Sequence, residues 1–181
     1  MSGILRSGQI LLATPELQGS FFGRAVIFLT AHSGVEGTHG FVLNRPSGAM
    51  LGEVMSSVDF AALREVPVLL GGPVCPDEMT LGALRWDANE GTLEWRGPLG
   101  IGGAVRARAE GWTVCAFTGY TGWAVGQLEA EVERGSWLVM AGVEAVLAPV
   151  EGDALWRAIL RGLADPRLAL LADQPADPGL N

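Results

Sequence analysis

Apolar runs of four to eight residues, bounded by Gly, Pro, Asn or Ser, dominate the first part of the chain. GQILLATP (8–15), RAVIFLT (24–30) and HGFVLN (39–44) take this form and predict three buried strands. The period then changes. In LGEVMSSVDFAAL (51–63), Leu51, Val54, Met55, Val58 and Ala62 share a face at helical spacing while Glu53 and Asp59 lie off it, which predicts an amphipathic helix. VPVLLGG (66–72) returns to a strand. TLGALRWD (80–87) and TLEWRG (92–97) flank Asn89-Glu90-Gly91, a turn signal that predicts a hairpin. Residues 106–109 are open to either a short helix or a loop, because Gly97, Gly100, Gly102 and Gly103 leave the approach permissive.

WTVCAFTG (112–119) and WLVMAG (137–142) predict strands, and AVGQLEAEVER (124–134) predicts a helix that turns Val125, Leu128 and Val132 inward. In GDALWRAILRGL (152–163), Trp156, Ile159, Leu160 and Leu163 line one helical face, with Asp153 placed to serve the first turn. Strands that follow one another without intervening helices favour mixed or antiparallel pairing. The pattern therefore predicts one α+β or α/β domain of about seven or eight strands and three helices. It extends over residues 1–172. The segment 173–181, DQPADPGLN, holds two prolines and little apolar surface and predicts a flexible tail.

Composition narrows the functional classes. All 12 basic residues are arginine, scattered along the chain, and the net charge is −8 with a pI near 4.7. Binding to nucleic acid or an anionic membrane needs a basic footprint, so direct nucleic-acid binding is not expected. The amino-terminal MSGILRSGQILLATP lacks a signal-peptide pattern, and no apolar uncharged run reaches 18 residues, which predicts a cytoplasmic protein without a membrane anchor. Cys75 and Cys115 have neither CxxC spacing nor histidine companions, so no metal site is expected, and no cofactor motif stands out.

The remaining chemistry sits at strand ends. In Asn44-Arg45-Pro46, the proline drives Arg45 out of the helical region, so the tripeptide is a strand-terminating turn, a presented guanidinium for an anion, or both. Gly71-Gly72-Pro73-Val74 lacks phosphate-loop spacing and reads as a close backbone passage, with Pro73 and Pro76 bracketing Cys75. Cys75 reads as inert, since the two histidines, His32 and His39, belong to another hairpin and are read as packing or solvated side chains that could face each other. GYTGWAVGQLEAE (119–131) is the densest segment: Thr121 or Gly122 can cap a helix, and Gln127 and Glu131 share a polar flank. It reads either as aromatic anchoring of a helix on the sheet or as a pocket lined by Tyr120, Trp123 and Gln127.

In their order, GQILLATPEL (8–17), GFVLNRP (40–46), GGPV (71–74), GYTGWAVGQLEAE, Trp137 and Leu155-Trp156 resemble the YqgE/AlgH family, from about Gly8 to about Leu163. The resemblance implies an α+β fold with a bulged, largely antiparallel or mixed sheet, open or barrel-like, flanked by about three helices. It also implies an association with transcriptional regulation, although the chain has no helix-turn-helix with basic recognition residues. Family members commonly carry a Leu-His pair after GGPV. This chain reads CPDEMTLGAL there, so a role tied to that histidine does not transfer.

The expectation is a non-enzymatic regulatory protein whose partner is a small molecule or another protein. Its candidate ligand-binding residues are Asn44, Arg45, Tyr120, Trp123, Gln127 and Glu131 around one strand-end pocket, with no catalytic residue assigned. An enzyme of unassigned reaction and weak DNA binding through an oligomer are the competing classes.

Overall fold

A computed structural model describes residues 4–55, 58–149 and 152–173, so the expected flexible tail lies outside the described residues except for Asp173. The order of elements is β1 (Gln9–Ala13), β2 (Val26–Ser33), β3 (Gly37–Val42), β4 (Pro46–Met50), α1 (Leu51–Val54), β5 (Pro67–Leu70), β6 (Val74–Asp87), β7 (Thr92–Leu99), α2 (Ile101–Ala109), β8 (Thr113–Trp123), α3 (Gln127–Glu133), β9 (Trp137–Ala141), α4 (Gly152–Gly162) and α5 (Pro166–Ala172). Nine strands form one sheet in the order β4-β5-β8-β3-β2-β1-β9, with the β6–β7 hairpin branching from β8. Among the described residues only β5 and β8 run parallel, and the other pairs are antiparallel. The sheet is α+β in character and mixed, as expected, but it stays open. Its end strands β4 and β9 do not meet, so the barrel alternative does not form.

Alternation sorts the core by face. Ile10, Leu12, Val26, Phe28, Phe41 and Phe117 point to one side, where α4 supplies Leu155, Trp156, Ile159 and Leu160. Leu11, Ala13, Ile27, Leu29 and Val42 point to the other, beneath α3, with Leu128, Trp123 and Trp137. A second cluster on that reverse side packs Ala104 and Ala107 of α2 on Val114 and Ala116 of β8. The last predicted helix forms as its periodicity requires, and the Trp156 indole donates to the Ala13 carbonyl at 2.9 Å, fixing α4 to the sheet.

Three expectations are corrected. The helix predicted over 51–63 ends after one turn, because Met55 is extended and the amides of Leu51 and Gly52 bond to the carbonyls of Val66 and Arg64. The chain folds back on itself there, and a 3₁₀ turn over Val58–Leu63 replaces the continuing helix. Val125 is 55% exposed rather than inward, since α3 begins only after Gly126, leaving Val125 in the approach loop. Five α-helices occur among the described residues where about three were expected, the additions being α2, in the stretch left open between helix and loop, and α5.

Candidate functional site

Asn44 is fully buried. Its Oδ1 accepts from the Val26 amide at 2.9 Å, and its Nδ2 donates to the carbonyls of Arg24 and Gly152, each at 2.9 Å. One side chain thus joins the start of β2, the end of β3 and the first residue of α4. Arg45 donates through Nη2 to the carbonyls of Phe21 (3.1 Å) and Gly23. Burial lowers its pKa from the usual arginine range, with Asp153 acting in the opposite sense, and Asp153 itself pairs with Arg24 at 2.5 Å. The NRP tripeptide therefore pins the 18–24 loop and α4.

Glu131 organises the second group. Its Oε2 accepts from the indoles of Trp123 (3.0 Å) and Trp137 (2.8 Å), and its Oε1 accepts from the Gln127 side-chain amide, Nε2, at 3.0 Å. The two indoles meet edge-to-face at 6.1 Å, and Gln127 Oε1 accepts from the Ala124 amide at 3.1 Å. That last bond serves the entry to α3, where neither Thr121 nor Gly122 is the cap: the cap residue is Gly126, and both expected caps lie within β8. A shallow cleft of about 280 Å³ borders this group, walled by Leu17, Phe22, Pro73 and Trp137. Gln127, Glu131 and the two indoles satisfy one another as a structural clamp does, whereas the Arg134 and Ser136 side chains that also line the cleft have no partner among the described residues.

Tyr120 does not join them. In β8, Cys115 and Phe117 face the α4 side while Val114 and Ala116 face α2. Strict alternation would send Tyr120 with Ala116. Gly119 sits at φ +65° beside the point where β6 and β8 lose register, and the phase shifts, so Tyr120 emerges on the Phe117 side and Trp123 on the α3 side. The single pocket expected from Tyr120, Trp123 and Gln127 is thus divided by the sheet, and Asn44 and Arg45 line neither half.

Tyr120 instead opens onto a groove of about 460 Å³ lined by His39, Phe41, Glu78, Thr80, Trp95 and Pro98, with Thr30 at its edge. His39 stacks on Tyr120 with ring centroids 4.9 Å apart and planes 15° from parallel. The histidines do not face each other, because His39 pairs with Ala31 and His32 pairs with Thr38, on opposite faces of the hairpin. His32 Nδ1 lies 2.7 Å from Thr38 Oγ1 and its Nε2 lies 3.7 Å from Glu129. Trp95 lies flat on two glycines: a Cβ on Gly82 would fall 2.0 Å from its ring, and one on Gly97 would fall 2.4 Å from it. Phe28, Phe41 and Phe117 surround that indole at 5.6 to 6.3 Å between centroids. Glu78 arrives on a bulge, where two steps along β8 (Thr118 to Tyr120) are matched by five along β6 (Val74 to Met79).

The groove lies at the end of β2 and β3 away from Asn44 and α4, and no helix residue is among the described residues that line it. Sequence reading missed Trp95, Glu78 and Thr80. The small residues Gly82 and Gly97 on either side of the hairpin turn are the one signal that a large ring needs room there. Of the cysteines, Cys115 is buried and desolvation pushes its thiol up to about 12, while Cys75 is exposed within the bulge at φ +48°. Among the described residues, no group of three or more His, Cys, Asp or Glu side chains is placed to hold a metal ion. No helix of the described residues is long and apolar enough to cross a membrane.

A family model described as AlgH-like matches residues 10–166. Among curated relatives, a UPF0301 protein of Mycobacterium ulcerans is 35% identical over 191 aligned positions, covering 98% of this chain and 92% of the relative. A UPF0301 protein of Streptomyces coelicolor is 35% identical over 187 positions, covering 97% and 95%. The solution structure of the AlgH protein from Pseudomonas aeruginosa superposes with a TM-score of 0.65 at 26% identity, over 98% of this chain and 100% of that one. The crystal structure of protein DIP2367 from Corynebacterium diphtheriae gives a TM-score of 0.73 at 22% identity, over 96% and 95%, a likeness of fold alone.

Proposed function

The chain belongs to the AlgH-like family, and we propose that it works there as a cytoplasmic, non-enzymatic regulatory protein that binds a small ligand or a partner's side chain in the Tyr120–Trp95 groove. One observation carries this reading. Tyr120, Trp95, His39, Thr80 and Glu78 all line the groove, and the polar atoms of their side chains make no hydrogen bond or ion pair to other described residues. Polar groups on an aromatic floor that satisfy nothing within the chain are suited to fix a ligand's orientation, while the aromatic faces supply buried area. The clamp at Glu131 has the opposite character.

The cysteine and histidine environments argue against a catalytic reading. Cys115 is held protonated by burial, and His32 is engaged by Thr38 and Glu129. The Thr38 hydroxyl that His32 engages is itself buried, so this hydroxyl–imidazole–carboxylate line gives a substrate no nucleophile to reach, and the Cys115 thiol meets only the Thr113 carbonyl among the described residues. Direct binding to DNA is also disfavoured. Arg85 and Arg96 approach the Trp112 ring at 4.4 and 4.1 Å and are ion-paired to Glu94 and Glu110 at 2.6 Å, so this arginine pair is largely neutralised. A regulatory role in transcription would then run through a bound ligand or partner rather than through contact with the duplex.

Calorimetric titration of the whole chain against a panel of metabolites and nucleotides tests the reading. The expected result is a hit whose heat disappears in Tyr120→Ala and persists in Gln127→Ala. A hit retained by Tyr120→Ala and lost in Gln127→Ala would move the site to the α3 cleft. A duplex-DNA titration with a steep salt slope would replace the reading altogether.

A further inference from the structure

We infer that the groove takes a cation whose charge is spread over a planar group, an amidinium or guanidinium, held by the Glu78 carboxylate against the faces of Tyr120 and Trp95. The inference rests on the groove being a binding site and names what that site selects. Glu78 is the one carboxylate among the lining residues, and no arginine lines the groove to oppose a positive ligand. The carboxylate has no ion pair or hydrogen bond among the described residues. The bulge between Val74 and Met79 lifts it clear of the ladder that would otherwise hold that segment against β8.

The aromatic floor points the same way. Ring faces carry the negative part of the aromatic quadrupole, and a desolvated cation over Trp or Tyr is attracted to it. Trp95 is seated with one face on Gly82 and Gly97, so its position is fixed before any ligand arrives. Tyr120 is oriented by its stack on His39 and by Gly122, whose Cβ would fall 3.3 Å from the phenol ring. A planar cation can lie on such rings and still present a fork of N–H donors to both carboxylate oxygens. An ammonium ion could satisfy Glu78 but not cover the rings. An anion of the same shape would meet Glu78 with nothing to offset the repulsion, in a chain whose net charge is already −8.

Three isosteric probes separate these possibilities: benzamidine, benzamide and benzoate, each titrated into the full-length chain and followed by its amide and indole NMR signals. Benzamidine is expected to shift the signals of His39, Tyr120 and Trp95 with an affinity about ten-fold or more above that of benzamide, and benzoate is expected to leave them unmoved. Glu78→Gln should bring benzamidine down to the affinity of benzamide while the rest of the spectrum stays in place. Equal affinities for the three probes at those signals, or an unaltered preference in Glu78→Gln, would overturn the cation inference and leave the groove standing as a binding site. If no probe moves the groove signals, both fall together.

Discussion

Gly119→Ala is expected to lower the unfolding free energy by about 3 kcal/mol or more, at an unchanged dependence on denaturant concentration. Two costs combine. At φ +65° a Cβ meets the following carbonyl, which is worth about 1–2 kcal/mol. The same Cβ would fall 2.3 Å from the Gly72 carbonyl oxygen and 2.9 Å from that of Val74, so backbone must move, adding about 1–3 kcal/mol. Gly126→Ala isolates the first cost, since Gly126 has φ +78° but nothing within 4 Å of its added Cβ, and a loss of about 1 kcal/mol is expected. Denaturant midpoints for the two variants give the comparison. Equal losses would show that the β6–β8 crossing does not press on Gly119. Because Gly119 sets the phase of β8, the variant should also lose whatever Tyr120 binds.

Asn44→Ala is expected to cost about 4 kcal/mol. Truncation leaves the buried Val26 amide and the half-buried carbonyls of Arg24 and Gly152 without this partner, and each such group left unsatisfied costs about 1–3 kcal/mol. Replacement by Asp, nearly the same in shape, should rescue little, because a carboxylate can accept from Val26 but cannot donate to two carbonyls. Thermal and denaturant unfolding of both variants reads this directly. A stable Asn44→Ala chain that had lost only ligand binding would return Asn44 to the binding site.

How far the chain discloses its own architecture depends on where the deciding contacts lie. The strands at Gln9–Ala13 and Val26–Ser33 and the helix at Gly152–Gly162 were legible because their apolar spacing is itself the cause of their burial. The strand at Pro46–Met50 was not, since PSGAM has poor strand propensity and is held by pairing with Pro67–Leu70. The expected residues do not share one pocket for a related reason. Tyr120 and Trp123 are three residues apart, neighbours on a helix but opposed on a strand, and the segment is strand as far as Trp123. Asn44 and Arg45 carried the right chemistry for a site and spend it on local backbone. Trp95 and Glu78 reach the groove only through a hairpin and a bulge, which no spacing in the sequence announces.

On this account the solvent-facing polar groups without a protein partner on the Tyr120 face, rather than the mutually bonded clamp on the Trp123 face, mark where the protein binds. Soaking crystals of the full chain with a library of small fragments tests it most directly. Fragment density is expected over Tyr120, His39 and Trp95, with fragments bearing planar cations reaching Glu78. Fragments gathered between Trp137 and Gln127, with the groove empty and open to solvent in the lattice, would contradict it.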